Sequence, residues 1–192
     1  FVVVTFQFLH KYLSSNNILH IVVSAAAFFM AYLSKENAIT VVPLIPLFIW
    51  FFSKKEIKSN LMISSVFAGV TLLYMILRFS ILGEMRGSAE LQLINNSILG
   101  TTNSIDRLAT AIAIMGKYLY LLFIPTPLSF DYSYSQIPVY TFGSANALLA
   151  LLICLLLAYV AFKGIAKKDP VSFGILFFFG TIVLVSNVLF LI

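Results

Sequence analysis

Seven apolar runs, separated by short polar or basic stretches, constrain the fold of this 192-residue chain more than any single motif. Hydrophobic residues make up 61% of the chain and charged residues 10%, whereas a soluble domain averages roughly 45–50% and about 25%. Inside a bilayer each segment must satisfy its own backbone hydrogen bonds, which favours helices. The sequence therefore predicts an all-α integral membrane protein with about six membrane-spanning helices, since one crossing needs about 20 apolar residues.

The apolar runs also show how the chain must be divided. The stretch 18–52 is too long for one crossing at about 1.5 Å per residue, so the polar residues 34–37 are expected to form a hairpin. The chain begins and ends within apolar runs, and we expect it to be an internal fragment of a longer polytopic protein. The runs are 1–9, 18–33, 39–52, 61–77, 105–124, 145–162 and 171–192.

Two basic loops decide how the run 105–124 is placed. Basic loops favour the cytoplasmic face, and a full crossing by 105–124 would put the two loops on opposite faces. We therefore expect that run to be an interfacial or re-entrant amphipathic helix. Residues 78–142 would then form one extracytoplasmic loop between spans in 1–77 and 143–192, all within one membrane domain. The lysines concerned are Lys54, Lys55 and Lys58 in one loop and Lys163, Lys167 and Lys168 in the other.

The helix predicted at 105–124 carries a lysine, which is costly in an apolar segment and usually has a partner or a function. At about 100° per residue, Asp106, Thr110, Ala113 and Lys117 fall on one stripe. We expect this stripe to face a cavity and the opposite face to meet lipid. Two interpretations of Lys117 stay open: it snorkels to the headgroups, or it meets an anion such as a lipid phosphate. The opposite face consists of Leu108, Ile112, Leu119 and Leu122.

The polar run that follows this helix is the next candidate site. Asp131, Tyr132 and Tyr134 come after a proline-rich break. They can form an interfacial aromatic belt or contact a polar substrate. Arg78 and Arg107 flank the predicted outer loop, where arginine either binds phosphate through its paired donors or is simply solvated.

Three further polar positions are candidates. Lys35 and Glu36 lie at the predicted hairpin tip. They either form an ordinary turn there or contribute to the rim of a cavity. Asn187 follows Ser186 in the last apolar run, where helix–helix hydrogen bonding is the ordinary role of such residues. No nucleophile–base pair, glycine-rich phosphate loop or pair of catalytic carboxylates can be assembled, so the catalytic residue is unknown.

Metal, disulfide and nucleic-acid functions are not expected. His10 and His20 have no Cys, Asp or Glu at ligand spacing, and Cys154 has no second cysteine to pair with. The net charge of +5 reports membrane topology first, because basic loops set orientation.

Several segments together resemble a known family. They are LSKENAIT at 33–40, Arg78 closing a span before a long loop, RLAT at 107–110, and KYLYLLFIPTPLSFDYSYSQIP at 117–138. This pattern resembles the membrane region of transmembrane and tetratricopeptide-repeat-containing O-mannosyltransferases and their bacterial relatives, which belong to the GT-C superfamily of glycosyltransferases. The proline often found before the Ser186–Asn187 pair is absent here.

The resemblance implies a transferase that uses a polyprenyl-phosphate sugar as co-substrate and an acceptor protein or glycan, with no further cofactor. The reaction would occur on the extracytoplasmic face of a bacterial inner membrane, or of the endoplasmic reticulum in a eukaryote. It also implies a catalytic acidic residue before residue 1 and tetratricopeptide repeats after residue 192.

We hypothesise that three cations bind the donor phosphate and that the remaining candidates form the substrate pocket. A transporter or flippase for a lipid-linked saccharide, or a non-catalytic membrane subunit, is the alternative function. The phosphate-binding candidates are Lys117, Arg78 and Arg107, and the pocket candidates are Asp131, Tyr132, Tyr134, Lys35, Glu36 and Asn187.

Overall fold

The computed structural model describes residues 1–82, 103–129, 136–182 and Ser186, and all regular secondary structure in these ranges is helical. The all-α prediction is therefore confirmed for this part of the chain. One 3₁₀ helix, Glu36–Val41, lies between the second and third α-helices. The α-helices are α1 Val2–Ser15, α2 Ile18–Ser34, α3 Leu44–Phe52, α4 Ile57–Leu82, α5 Ser104–Phe123, α6 Ala145–Ile165 and α7 Pro170–Ile182.

Two of the described helices are long and apolar enough to cross a membrane, at Ile57–Ile81 and Ala145–Ile165. Helices α2 and α7 are apolar but shorter. The number is lower than the six expected, and six crossings stay a prediction. Helix α5 is not one of the two, and its interfacial placement stays a prediction.

The run 39–52 was predicted as one short span, and this is wrong. It is divided between the 3₁₀ helix and the nine-residue helix α3, with Pro43 as the residue that precedes α3. Proline has no backbone N–H to continue a helix. At about 1.5 Å per residue, α3 is roughly 14 Å long, which is less than half the hydrocarbon thickness.

The chain divides into two compact units, the first of which comprises Phe1–Gly87 and Lys163–Thr181. In this unit a tight turn reverses the chain between α1 and α2. Asn16 has φ 53°, a left-handed conformation that asparagine tolerates. The side chain of Asn17 then accepts a hydrogen bond from the Leu19 N–H and caps α2. A buried bond from Ser24 Oγ to Thr5 O, 2.7 Å long, fixes the pairing of the two helices.

The core of the first unit lies between α2, α3 and α4. Phe28, Ile45 and Phe67 are fully buried there. The Phe28 and Phe67 rings meet edge to face with centroids 5.8 Å apart, an arrangement that aromatic pairs prefer. The other sides of α4 expose large apolar residues, including Leu61 and Leu72.

The second unit comprises Ser88–Phe162 and Ile182–Ile192, and its described part is built on α5 and α6. The two helices approach closely at Gly116. A Cβ at this position would lie 2.5 Å from the Cβ of Ala150. The small pair therefore sets the spacing of α5 and α6, as small residues do where membrane helices meet.

We expect Gly116→Ala to lower the stability of the full-length protein by about 1–3 kcal/mol, the usual range for overpacking. The matched control is Gly69→Ala in α4, where an added Cβ meets nothing within 4 Å. Because alanine is the better helix former, the control should be neutral or stabilising by up to about 1 kcal/mol. Thermal unfolding in detergent measures both. Equal effects of the two changes would contradict the proposed close approach.

Candidate functional site

A cavity of about 640 Å³ lies in the second unit, between α5, α6 and the segment that precedes α6. Most of its wall is apolar, with a few polar side chains at Lys117, Gln136, Tyr140 and Asn146. The complete set of lining residues also includes Ala113, Ile114, Gly116, Leu119, Tyr120, Phe123, Ile124, Ile137, Pro138, Leu149, Ala150, Ile153 and Leu157.

Lys117 is half-buried in the wall of this cavity. It is the one charged residue among the described residues that line the cavity. A cation beside apolar side chains can bind an anion more strongly than a cation in bulk water, because nearby water screens less. The cavity thus combines a surface for hydrocarbon with a single positive group.

Thr110 links α5 to the segment that precedes α6, and both of these line the cavity. Its buried hydroxyl accepts a hydrogen bond from the Tyr140 N–H at 2.8 Å and donates to Asp106 O at 2.7 Å. The bond to Tyr140 spans 30 residues, so it ties the first half of α5 to the segment that forms the cavity rim. The second unit therefore positions Lys117 through one buried threonine as well as through helix packing.

The predicted stripe on α5 is found in part. Ala113 and Lys117 line the cavity, and Thr110 is buried. Leu122, predicted on the lipid side, is 63% exposed. Leu119 was also predicted there but lines the cavity. The cavity wall is therefore wider than the narrow polar stripe, since the apolar side chains contribute to it.

Arg107 begins the same helix but does not line this cavity. It precedes Lys117 by ten residues, which at about 1.5 Å and about 100° per residue places the two positions roughly 15 Å apart along the helix axis and about 80° apart around it. The two side chains therefore start far apart on the helix. The start of α5 is fixed by Asn103, whose side chain accepts from the Ile105 N–H at 3.0 Å.

Arg78 lies in the first unit, near the end of α4, and forms an ion pair with Glu36. Its Nη1 also donates to Tyr74 Oη at 2.9 Å. The sequence placed Arg78 and Glu36 in different roles, whereas the structure brings them together. The side chains are 35% and 57% exposed, and such a pair stabilises a protein by about 0–1 kcal/mol.

Two stacked tyrosines, one of which accepts the hydrogen bond from Arg78, lie next to this ion pair. They were not among the predicted site residues. The rings of Tyr32 and Tyr74 have centroids 4.4 Å apart and an interplanar angle of 14°. Tyr32 Oη lies 3.0 Å from the Thr71 Oγ1. The spacing of Tyr74 and Arg78, four residues apart on one helix, was a readable signal for part of this cluster.

The remaining candidates are separate from the cavity of Lys117. Lys35 is exposed and lines a smaller cavity of about 370 Å³ in the first unit, together with Ser34 and Asn37. Asp131, Tyr132, Tyr134 and Asn187 lie outside the described residues.

Metal ligands are not grouped in the described ranges: no three His, Cys, Asp or Glu side chains lie close enough there to hold an ion. No family model matches the sequence, and neither the curated proteins nor the solved structures gave a match to it.

We expect Thr110→Val to lower the stability of the full-length protein by about 1–3 kcal/mol, because it leaves the Tyr140 N–H without its acceptor. The control is Thr181→Val in α7, whose hydroxyl bonds to Phe177 O and Phe178 O within its own helix. The control should stay within about 0.5 kcal/mol of the parent. Thermal unfolding of both variants is the measurement, and a cost no larger than that of the control would refute the role of Thr110.

Proposed function

We propose that this chain is part of a membrane glycosyltransferase of the GT-C type. It would move a sugar from a polyprenyl-phosphate donor to a protein or glycan acceptor on the extracytoplasmic face. A membrane setting is supported by the two long apolar helices, in which 17% of the most apolar 18-residue segment is buried. A core helix of a soluble protein would be mostly buried.

One observation carries the proposal. The segment 124–138 contains the most specific part of the family resemblance, and residues at both of its described ends line the same cavity as Lys117. Ile124 lies at one end, and Gln136, Ile137 and Pro138 lie at the other. The described ends of this segment and Lys117 therefore contribute to the wall of one cavity, which supports the proposal.

The chemistry of this cavity fits a lipid phosphate. Its apolar walls suit an isoprenoid chain, and Lys117 supplies a positive charge for the phosphate. In the transfer, the bond between the anomeric carbon and the phosphate oxygen breaks, and the electron pair leaves with the phosphate. A fixed cation stabilises this developing charge. The acceptor hydroxyl forms the new glycosidic bond, and its proton goes to the carboxylate base that the family resemblance implies.

The contact between the two basic loops supports the proposed topology. Lys168 Nζ donates to Ser53 O at 3.2 Å, so the loops before α4 and before α7 are neighbours in the first unit. Between these loops the described chain contains two helices that are both long and apolar enough to cross a membrane, α4 and α6. An even number of crossings returns the chain to the same face. This agrees with an α5 that does not cross.

We expect Lys117→Gln to reduce sugar transfer by the full-length protein by roughly 10²-fold, the usual effect of removing one group that stabilises developing charge. The control is Lys58→Gln, which removes an exposed lysine in the first turn of α4 and should leave the rate unchanged. Release of polyprenyl phosphate from a radiolabelled donor is the measurement.

The same assay separates the proposal from its alternative. A flippase would move the labelled donor across vesicles without releasing sugar, and Lys117→Gln would then slow the movement alone. Unchanged transfer by Lys117→Gln would exclude the proposed role of the lysine.

Cysteine labelling tests the sidedness. In a Cys154→Ala background of the full-length protein, single cysteines at Ser129 and Ala166, both exposed, should react from opposite faces of the membrane. Ser129→Cys should be labelled from the extracytoplasmic side by an impermeant maleimide, and Ala166→Cys only after permeabilisation. Labelling of both from one side would contradict the topology.

A further inference from the structure

A second apolar groove, of about 590 Å³, lies in the first unit beside α1, α3 and α7. Val2, Phe6 and His10 are spaced four residues apart, so they share one face of α1. The groove therefore follows α1 from its beginning towards its basic end. Its lining residues are Val2, Val3, Phe6, Gln7, His10, Lys11, Phe48, Phe52, Phe173, Gly174 and Phe177.

The floor of this groove is a connected set of phenylalanine rings. The centroids of Phe6 and Phe48 are 4.9 Å apart, and those of Phe48 and Phe173 are 5.5 Å apart. Phe173 also meets Phe52 edge to face at 5.2 Å, and Phe177 lies 5.5 Å from Phe6. Rings held in contact from several helices give a fixed hydrocarbon surface with little rotamer freedom left to lose on binding.

One end of the groove is polar, at His10 and Lys11. Both side chains are exposed. The His10 ring packs against Phe48 and Phe52, with centroids 6.3 Å and 6.4 Å away. The two residues therefore lie where the hydrocarbon floor meets the surroundings.

This polar end belongs to a strongly basic part of the first unit. Lys55 contacts the Asn16 side chain just after α1, and its Nζ lies 5.3 Å from the Tyr12 ring centroid. Lys168 contacts the same loop and lies over the Trp50 ring at 5.2 Å. Lys11 of α1 and the segments 53–56 and 163–169 together contribute six lysines and two acids.

We propose that this groove binds one anionic phospholipid, with an acyl chain along the phenylalanine floor and the phosphate at His10 and Lys11. The inference rests on the membrane setting of the proposed function, though not on its chemistry. Clustered lysines attract anionic headgroups, and tryptophan and tyrosine favour the headgroup level. The predicted face is cytoplasmic, opposite to the proposed donor site, so the ligand is a bilayer phospholipid and not the polyprenyl phosphate.

The test is lipid binding to the full-length protein in detergent micelles, where no charged bilayer surface contributes. Phosphatidylglycerol and phosphatidylcholine with identical acyl chains are titrated separately, and native mass spectrometry counts the bound lipid. We expect phosphatidylglycerol to bind about fivefold more tightly, which is the worth of one lysine near an anionic headgroup. Lys11→Gln should abolish this preference, while Lys58→Gln should retain it.

The acyl-chain part of the site is tested by filling the groove. An added Cβ at Gly174 meets nothing within 4 Å, and the residue lines the groove, so Gly174→Leu should weaken binding of both lipids at least fivefold without disturbing the fold. Gly69→Leu is the matched control, because Gly69 has the same open surroundings and lies outside the groove. It should bind like the parent.

Three results would overturn the inference: no preference for phosphatidylglycerol, equal losses in Lys11→Gln and Lys58→Gln, or full binding by Gly174→Leu. Lys117→Gln should keep the phosphatidylglycerol preference. Failure of the transfer assay with intact lipid binding would therefore count against the proposed function alone, and the reverse result against the phospholipid site alone.

Discussion

The structure depends on helices that satisfy their own backbone hydrogen bonds and can therefore turn apolar side chains outward. Helix α4 shows this clearly: its inward positions Ile63 and Phe67 are buried, while Leu61 and Met62 beside them are more than 60% exposed. Such a surface is costly in water, where buried apolar area contributes roughly 25 cal/mol per Å². The hydrocarbon of a bilayer is as apolar as this surface, so exposing it there costs little. Close packing is then needed only at the positions where helices meet.

Both compact units combine the same two elements, an apolar recess and a cation at its edge. In the second unit Lys117 lies in the cavity wall, and Thr110 and Gly116 hold that wall in place. In the first unit a floor of phenylalanine rings ends at Lys11. The two recesses differ in their walls: the recess of the first unit has aromatic rings in mutual contact, and that of the second unit is mostly aliphatic. An amphiphile with an anionic headgroup is the class of ligand that we propose for both.

The sequence predicted most of the helices, but it did not predict which helices pack against each other. The run 105–124 appears as Ser104–Phe123, and 145–162 begins at Ala145 as predicted, because long apolar runs and helix caps are local signals. The division of the run 39–52 into a 3₁₀ helix and α3 was not predicted. A 3₁₀ turn depends on how residues 36–41 pack against α2 as well as on the missing N–H of Pro43. The Glu36–Arg78 pair joins residues far apart in the chain, so no local pattern predicts it. Helical periodicity predicted that Lys117 faces a cavity. It did not predict that the segment before α6 lines the same cavity, because that segment is held to α5 by the bond between Thr110 and Tyr140, which are 30 residues apart.

The contact of Lys168 with Ser53 has a consequence for the local charge of the first unit. It brings together two segments, 53–58 and 163–169, that contain six lysines and two acids. Because these charges lie close together, replacing one lysine removes only a small part of the positive potential that this surface presents.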